Sequence, residues 1–161
     1  MFTPQALLDL HAGAHASLRG LLDHCATLEA AELGQGFPGF GYPSISTQFA
    51  HVIGAEAYWV GVLQGRCEVD EEDPVFTEIP ALEAYRAQVG AATRAYLEGT
   101  TVEELNTARP MMTWPRTERL LVPARILLRV TTHVYDHKGQ IAALCRLLGK
   151  PIPSGLDFPL A

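Results

Sequence analysis

The stretch ARILLRVTTHVYDHKGQIAALCRLL, residues 124–148, carries apolar side chains at every third or fourth position. That spacing places them along one face of a helix, and a folded protein buries such a face. Pro123 comes before the stretch and favours a helix start, whereas Gly149 and Pro151 follow it and favour a stop. The apolar face comprises Ile126, Leu127, Val130, Val134, Ile141, Leu144, Cys145 and Leu148. The stretch therefore predicts a long helix packed against other helices.

Three more stretches have the same periodicity, and each is bounded by capping residues, prolines or glycines. The four predicted helices span about Pro4–Glu32, Ser44–Leu63, Pro80–Glu98 and Ala124–Leu148. We therefore expect an all-α four-helix bundle that forms a single domain over residues 1–161.

The predicted connections differ in composition. Residues 34–43 are rich in Gly and Pro, and their aromatic side chains are expected to plug one end of the core. Residues 67–76 form an acidic connector, which we expect at the surface. Residues 109–122 contain two prolines and have no helical period, which predicts one long crossover loop that could include short extended pieces.

Composition excludes several classes of function. The net charge of −6 disfavours nucleic-acid binding, because such binding needs clustered Lys and Arg to neutralise phosphates. No long uncharged apolar run could span a membrane, and the first residues lack the features of a signal peptide, so we expect a cytoplasmic protein with no membrane partner. The thiols of Cys25, Cys67 and Cys145 are expected to be reduced and mostly buried.

Two histidines, His133 and His137, lie four residues apart on the apolar face of the last helix. Imidazoles one turn apart can bind the same transition-metal ion if a third ligand comes from another helix. The alternative is a pair of core histidines whose nitrogens are satisfied by hydrogen bonds. Spacing alone leaves two candidates open for the third ligand, His51 and His11, and His11 itself forms a rival pair with His15.

Three motifs carry a resemblance to a known family. They are QFAHVIGAEAYW at residues 48–59, HVYDHKGQ at residues 133–140, and IAALCRLLG at residues 141–149 followed by Pro151. Together they resemble the DinB/YfiT-like superfamily of metal-binding four-helix-bundle proteins. The resemblance implies His51, His133 and His137 as the metal ligands and leaves His11 and His15 outside the site. A related branch, of the mycothiol-dependent maleylpyruvate isomerase type, has Glu where this chain has His133.

Three neutral histidines leave at least one position of a divalent ion open for water or a thiol, which is typical of a catalytic site. Imidazole ligands favour zinc or nickel. The resemblance implies a cytoplasmic, usually dimeric enzyme with a small-molecule substrate. We expect it to activate a low-molecular-weight thiol, as an S-transferase, or water, as a hydrolase. The alternative is a non-catalytic metal-binding bundle of the stress response.

The sequence identifies no catalytic residue, but it indicates neighbours of the predicted site. Gln140 and Tyr58 are candidates to contact a ligand or substrate, because helical spacing places them near the histidines. Glu56 matches an acidic position of the family and is a third candidate, although we favour its interpretation as a surface residue or a hydrogen-bond anchor for a neighbouring helix. Trp59 and Trp114 are interpreted as packing groups.

Overall fold

Four long helices dominate the computed structural model, which describes residues 1–67 and 74–160. The acidic residues 70–73 of the predicted connector lie outside the described part. The elements, in chain order, are α1 Pro4–Cys25, α2 Ala30–Leu33, α3 Ile45–Leu63, α4 Ile79–Glu98, α5 Val102–Asn106, β1 Arg109–Thr113, β2 Thr117–Leu121 and α6 Pro123–Leu147. The predicted all-α four-helix bundle is confirmed, with α1, α3, α4 and α6 as its long helices.

The first helix is shorter than predicted. It ends at Cys25 rather than near Glu32, and the short helix α2 follows after a turn. The hydroxyl of Thr27 donates to the carbonyl oxygen of His24 at 2.8 Å, and the Leu28 N–H bonds to the carbonyl of Cys25. These local hydrogen bonds close a tight turn in place of a further α-helical turn. The apolar periodicity continues to Leu28, which is buried, so the pattern alone could not reveal this end.

The long helices pack in a square. Helix α1 packs against α4 and α6, and α3 packs against the same two helices, so α1 and α3 occupy opposite corners. The side chains of Phe37 and Phe40 pack against one end of the core, as predicted for the Gly/Pro-rich loop. Cys25 and Cys145 are free and fully buried, whereas Cys67 is only partly buried.

The predicted crossover, residues 109–122, forms a hairpin rather than a loop, and the short helix α5 precedes it. Strands β1 and β2 pair antiparallel, with Met111 opposite Arg119. The backbone N–H of Trp114, at the hairpin tip, donates to the Tyr58 hydroxyl at 2.8 Å, which ties the hairpin to α3. Trp114 is 56% exposed, so the packing role predicted for it is wrong.

The described residues include no helix that combines the length and the apolar character needed to cross a membrane.

Candidate metal centre

Three histidines from two adjacent helices meet at one side of the bundle. His51 lies on α3, and His133 and His137 lie on α6. One potential ligand atom from each lies within 4.8 Å of the other two. The Nε2 atoms of His133 and His137 are 3.0 Å apart. This is the trio that the family resemblance implied.

Hydrogen bonding to Gln48 determines which nitrogen of His137 carries the proton. The Gln48 side-chain amide nitrogen donates to the carbonyl oxygen of Tyr42 at 2.7 Å and to Oε1 of Gln140 at 3.0 Å. Its Oε1 must therefore accept, and it lies 2.5 Å from Nδ1 of His137. Nδ1 then carries the proton, which leaves the lone pair of Nε2 directed toward His133. A histidine that ligates a metal through Nε2 needs this tautomer.

The surroundings of His133 and His137 lower the pKa of both and so favour their neutral forms. Burial lowers the pKa of His137, and the nearby His51 lowers it further. Burial is also the main cause of the lowered pKa of His133, followed by the charges of His137 and Arg129. Neutral imidazole is the form that binds metal ions, so the environment favours the ligand state.

The Gly/Pro-rich loop helps to orient the third histidine. The ring of Tyr42 stacks on that of His51, with centroids 3.7 Å apart and 20° between the planes. Because the Tyr42 carbonyl also accepts from Gln48, one loop residue contacts two of the side chains that form the site.

The residues predicted near the site have different roles. Gln140 contacts Gln48 rather than a histidine, and thus acts on His137 through one intermediate. The hydroxyl of Tyr58 accepts from the Trp114 backbone and anchors the hairpin, although Tyr58 also lines the adjacent cavity. Gln48 was not singled out from the sequence. Its position one helical turn before His51 was the available signal.

Glu56 is 2% exposed, so its interpretation as a surface residue is wrong and its interpretation as an anchor is correct. Its carboxylate lies 2.8 Å from Nε2 of His11 and 2.8 Å from Nε2 of His15, both on α1. It also accepts at 2.5 Å from the hydroxyl of Thr93 on α4. Glu56 thus connects three of the four long helices.

This second group, His11, His15 and Glu56, also has the spacing to hold a metal ion. Its hydrogen bonds indicate a different use. Nη1 of Arg86 lies 2.8 Å from Nδ1 of His15, and since arginine can only donate, Nδ1 is the acceptor. The proton of neutral His15 is then on Nε2, where it donates to Glu56. A metal ion at Nε2 would have to displace this proton. The proton could not move to Nδ1 and keep a hydrogen bond there, because Arg86 has no acceptor.

The cavity beside the first group has a volume of about 650 Å³. Its wall includes His51 and His133, the ring of Trp59, and the arginines Arg66 and Arg129. The only carboxylate in the described part of the wall is Glu56, which is held by its own hydrogen bonds. The histidine group therefore faces a space large enough for a small molecule.

We expect Glu56→Gln to destabilise the protein by about 3 kcal/mol at pH 7, because a buried, hydrogen-bonded charge is lost. Burial alone would raise the pKa of Glu56, but the hydrogen bonds to His11 and His15 outweigh it and lower the pKa. A lowered pKa in the folded state adds stability above the unfolded value of about 4.3, and this contribution is lost as the pH falls below it.

Urea unfolding at pH 7 and at pH 4 measures both effects. Glu56→Gln should reduce the loss of stability between the two pH values, whereas Glu98→Gln, at an exposed position on α4, should behave like the wild type. Equal stability and equal pH dependence of Glu56→Gln and wild type would contradict the proposed role of the carboxylate.

Comparison with known proteins shows the fold and the family of this chain. No curated protein is similar enough to the chain to count as a match. Among solved structures, a DinB-like protein from Bacillus cereus superposes with a TM-score of 0.67 at 19% sequence identity, over 87% of this chain and 91% of that one. At this identity the likeness shows the fold alone. The sequence model of the DinB family matches residues 5–160, and the chain therefore belongs to the DinB family.

Proposed function

We propose that this protein is a divalent-metal-dependent enzyme in which His51, His133 and His137 bind the ion beside the cavity. The observation that carries the proposal is the hydrogen bond between His137 and Gln48, because it leaves the His137 Nε2 lone pair directed at His133. Membership of the DinB family fits a metal-binding protein and supports this choice.

The donor set fits a metal ion in distance as well as in protonation. Zinc–nitrogen bonds of about 2.0–2.1 Å put two nitrogens on the same ion about 3–3.4 Å apart. The 3.0 Å between the Nε2 atoms of His133 and His137 is at the short end of this range. Without an ion, two such lone pairs would face each other unless one nitrogen is protonated. Imidazole ligands suit zinc or nickel.

A thiol is our preferred reactant. A divalent ion in such a site supplies Lewis acidity, which lowers the pKa of a thiol or of water. Hydrolysis generally also needs a general base, and the one carboxylate in the described cavity wall, Glu56, is occupied by His11, His15 and Thr93. A thiolate nucleophile needs no further base once it is deprotonated, and its negative charge offsets that of the ion.

In this proposal the chain's own residues position and shield the reactants. Gln48 and Gln140 hold His137 in one orientation, and Tyr42 packs against His51. The cavity wall supplies the contacts for a small-molecule substrate. The cytoplasmic location and the homodimer implied by the family resemblance stay predictions.

Replacing any one of His51, His133 or His137 by Ala should lower metal affinity by at least tenfold, because two imidazoles bind an ion far less tightly than three. The measurement is zinc and nickel titration against a chromogenic chelator. His24→Ala is the matched control, since His24 lies on α1 and contacts the Lys150 carbonyl. Metal binding that is lost in His11→Ala and retained in all three ligand variants would instead identify the Glu56 group as the metal site.

Gln48→Leu should weaken metal affinity by about 10–100-fold, the usual effect of removing a hydrogen-bond partner of a ligating histidine. The variant keeps the side-chain size and removes the acceptor for the Nδ1 proton of His137. Gln64→Leu, at an exposed position after α3, is the control. An unchanged affinity in Gln48→Leu would show that this hydrogen bond does not orient the ligand.

Metal-loaded protein should catalyse S-alkylation of a low-molecular-weight thiol by an electrophile such as monochlorobimane, in which the thiolate sulfur displaces chloride, and His137→Ala should abolish turnover. Glutathione, bacillithiol and mycothiol should be compared, with an ester substrate to test hydrolysis. Ester turnover without thiol turnover would favour the hydrolase. Full metal occupancy without either activity would favour the non-catalytic metal-binding bundle.

A further inference from the structure

Two arginines precede the proposed metal ligands on the same face of α6. Arg125, Arg129, His133 and His137 are each four residues apart, so their side chains lie in a row that turns slowly around the helix. Arg129 lines the cavity beside the histidines, and together with Arg125 it also lines a second cavity of about 360 Å³. The two cavities share Trp59 and Arg129 as a common wall.

The guanidinium of Arg129 lies against an aromatic ring and has no carboxylate partner among the described residues. Its central carbon lies 5.8 Å from the centroid of the Trp59 ring, within the range of a cation–π contact. No carboxylate within residues 1–67 and 74–160 lies at ion-pair distance from it. The positive charge of Arg129 lowers the pKa of His133, one turn further along the helix.

Among the described residues that line the two cavities, arginines outnumber carboxylates, although the protein as a whole is acidic. The net charge is −6, yet four of the 12 basic residues line these cavities. They are Arg66, Arg119, Arg125 and Arg129. An arginine stacked on a tryptophan is common at protein surfaces and is no evidence of a site by itself. Here it borders a cavity, one turn from a proposed metal ligand, and lies among cations.

We propose that the cavity binds a small substrate with an anionic group, which Arg129 recognises about one helical turn from the proposed metal ligands. Four residues of α-helix separate Arg129 from His133, a rise of about 6 Å. The substrate would thus carry its carboxylate or phosphate roughly this far from its reacting atom, with its apolar part beside Trp59. The proposal deepens the function above and rests on it for the identity of the reacting group, a thiol.

Two rigid aryl thiols test the proposal, 4-mercaptobenzoate and its neutral analogue 4-mercaptobenzamide. The ring holds the carboxylate on the side opposite the sulfur, so one ion cannot bind both groups. Cobalt-loaded protein reports thiolate binding through sulfur-to-cobalt absorption, which gives a dissociation constant for each probe. We expect the wild type to prefer the benzoate, and Arg129→Gln to reduce this preference by about tenfold, the effect of losing one charge-assisted hydrogen bond.

Controls separate charge from structure. Arg129→Lys should keep part of the preference because it keeps the charge, and Arg94→Gln, at an exposed position on α4 away from both cavities, should keep all of it. Comparing the ratio of the two constants between variants cancels the intrinsic difference between the probes. A phosphonate analogue, 4-mercaptophenylphosphonate, shows which anion Arg129 prefers.

A second measurement does not depend on the metal. Metal-free protein is titrated with benzoate and benzamide while the indole N–H signals of its two tryptophans are followed by NMR, and Trp59 should respond to benzoate only when Arg129 is present. Binding of both thiols to cobalt without an Arg129-dependent preference would overturn this inference and leave the proposed function standing. Loss of all thiol binding, with the Trp59 response to benzoate intact, would overturn the proposed thiol chemistry and support the anion site.

Discussion

The buried carboxylate of Glu56 is the constraint on which the arrangement of the helices depends. A charge at this depth is costly unless it is hydrogen-bonded, and His11, His15 and Thr93 supply the partners from α1 and α4. This contact sets the rotation of α3. Because Glu56 comes five residues after His51, the two side chains point about 140° apart around the helix. When Glu56 faces α1 and α4, His51 is therefore directed toward α6.

The chain contains two histidine pairs with the same spacing, and their partners give them opposite hydrogen-bonding roles. Arg86 donates to Nδ1 of His15, which directs the His15 proton at Glu56 and completes a buried network. Gln48 accepts from Nδ1 of His137 and leaves Nε2 of that residue as a lone pair. The difference lies in the outer partner, a donor in one case and an acceptor in the other. The first pair thus joins α1 to α3 and α4 through Glu56, whereas the second has the tautomer that the proposed metal site requires.

The proposed chemistry follows from what surrounds His133 and His137. Three neutral imidazoles leave the charge of a divalent ion uncompensated, and the described cavity wall adds arginines rather than free carboxylates. Such a site favours a reactant that brings negative charge of its own. A thiolate does so at the ion, and a carboxylate or phosphate does so at Arg129. Both features point to small anionic molecules, although the protein itself is acidic.

Local features of the sequence determined the four long helices, because apolar periodicity, Pro at helix starts and Gly at helix ends act between residues a few positions apart. The pair His133 and His137 could be found in the same way, but spacing alone could not choose between His51 and His11 as their partner. The family resemblance made that choice. The end of α1 was predicted too late in the chain, because the apolar pattern continues to Leu28 although the Thr27 hydroxyl already closes a turn there.

Only the tertiary structure shows how the hydrogen-bond partners of the two histidine pairs differ, because those partners lie far away along the chain. Gln48 is 89 positions from His137, and Arg86 is 71 positions from His15. No periodicity in the sequence links residues this far apart. Whether a histidine nitrogen donates or accepts a hydrogen bond depends on the partner that helix packing places beside it. Packing also buries Glu56, and it places the hydroxyl of Tyr58 where it accepts a hydrogen bond from the hairpin. The sequence alone thus determined where the histidines lie on the helices, and the packed bundle determined which groups each of them contacts.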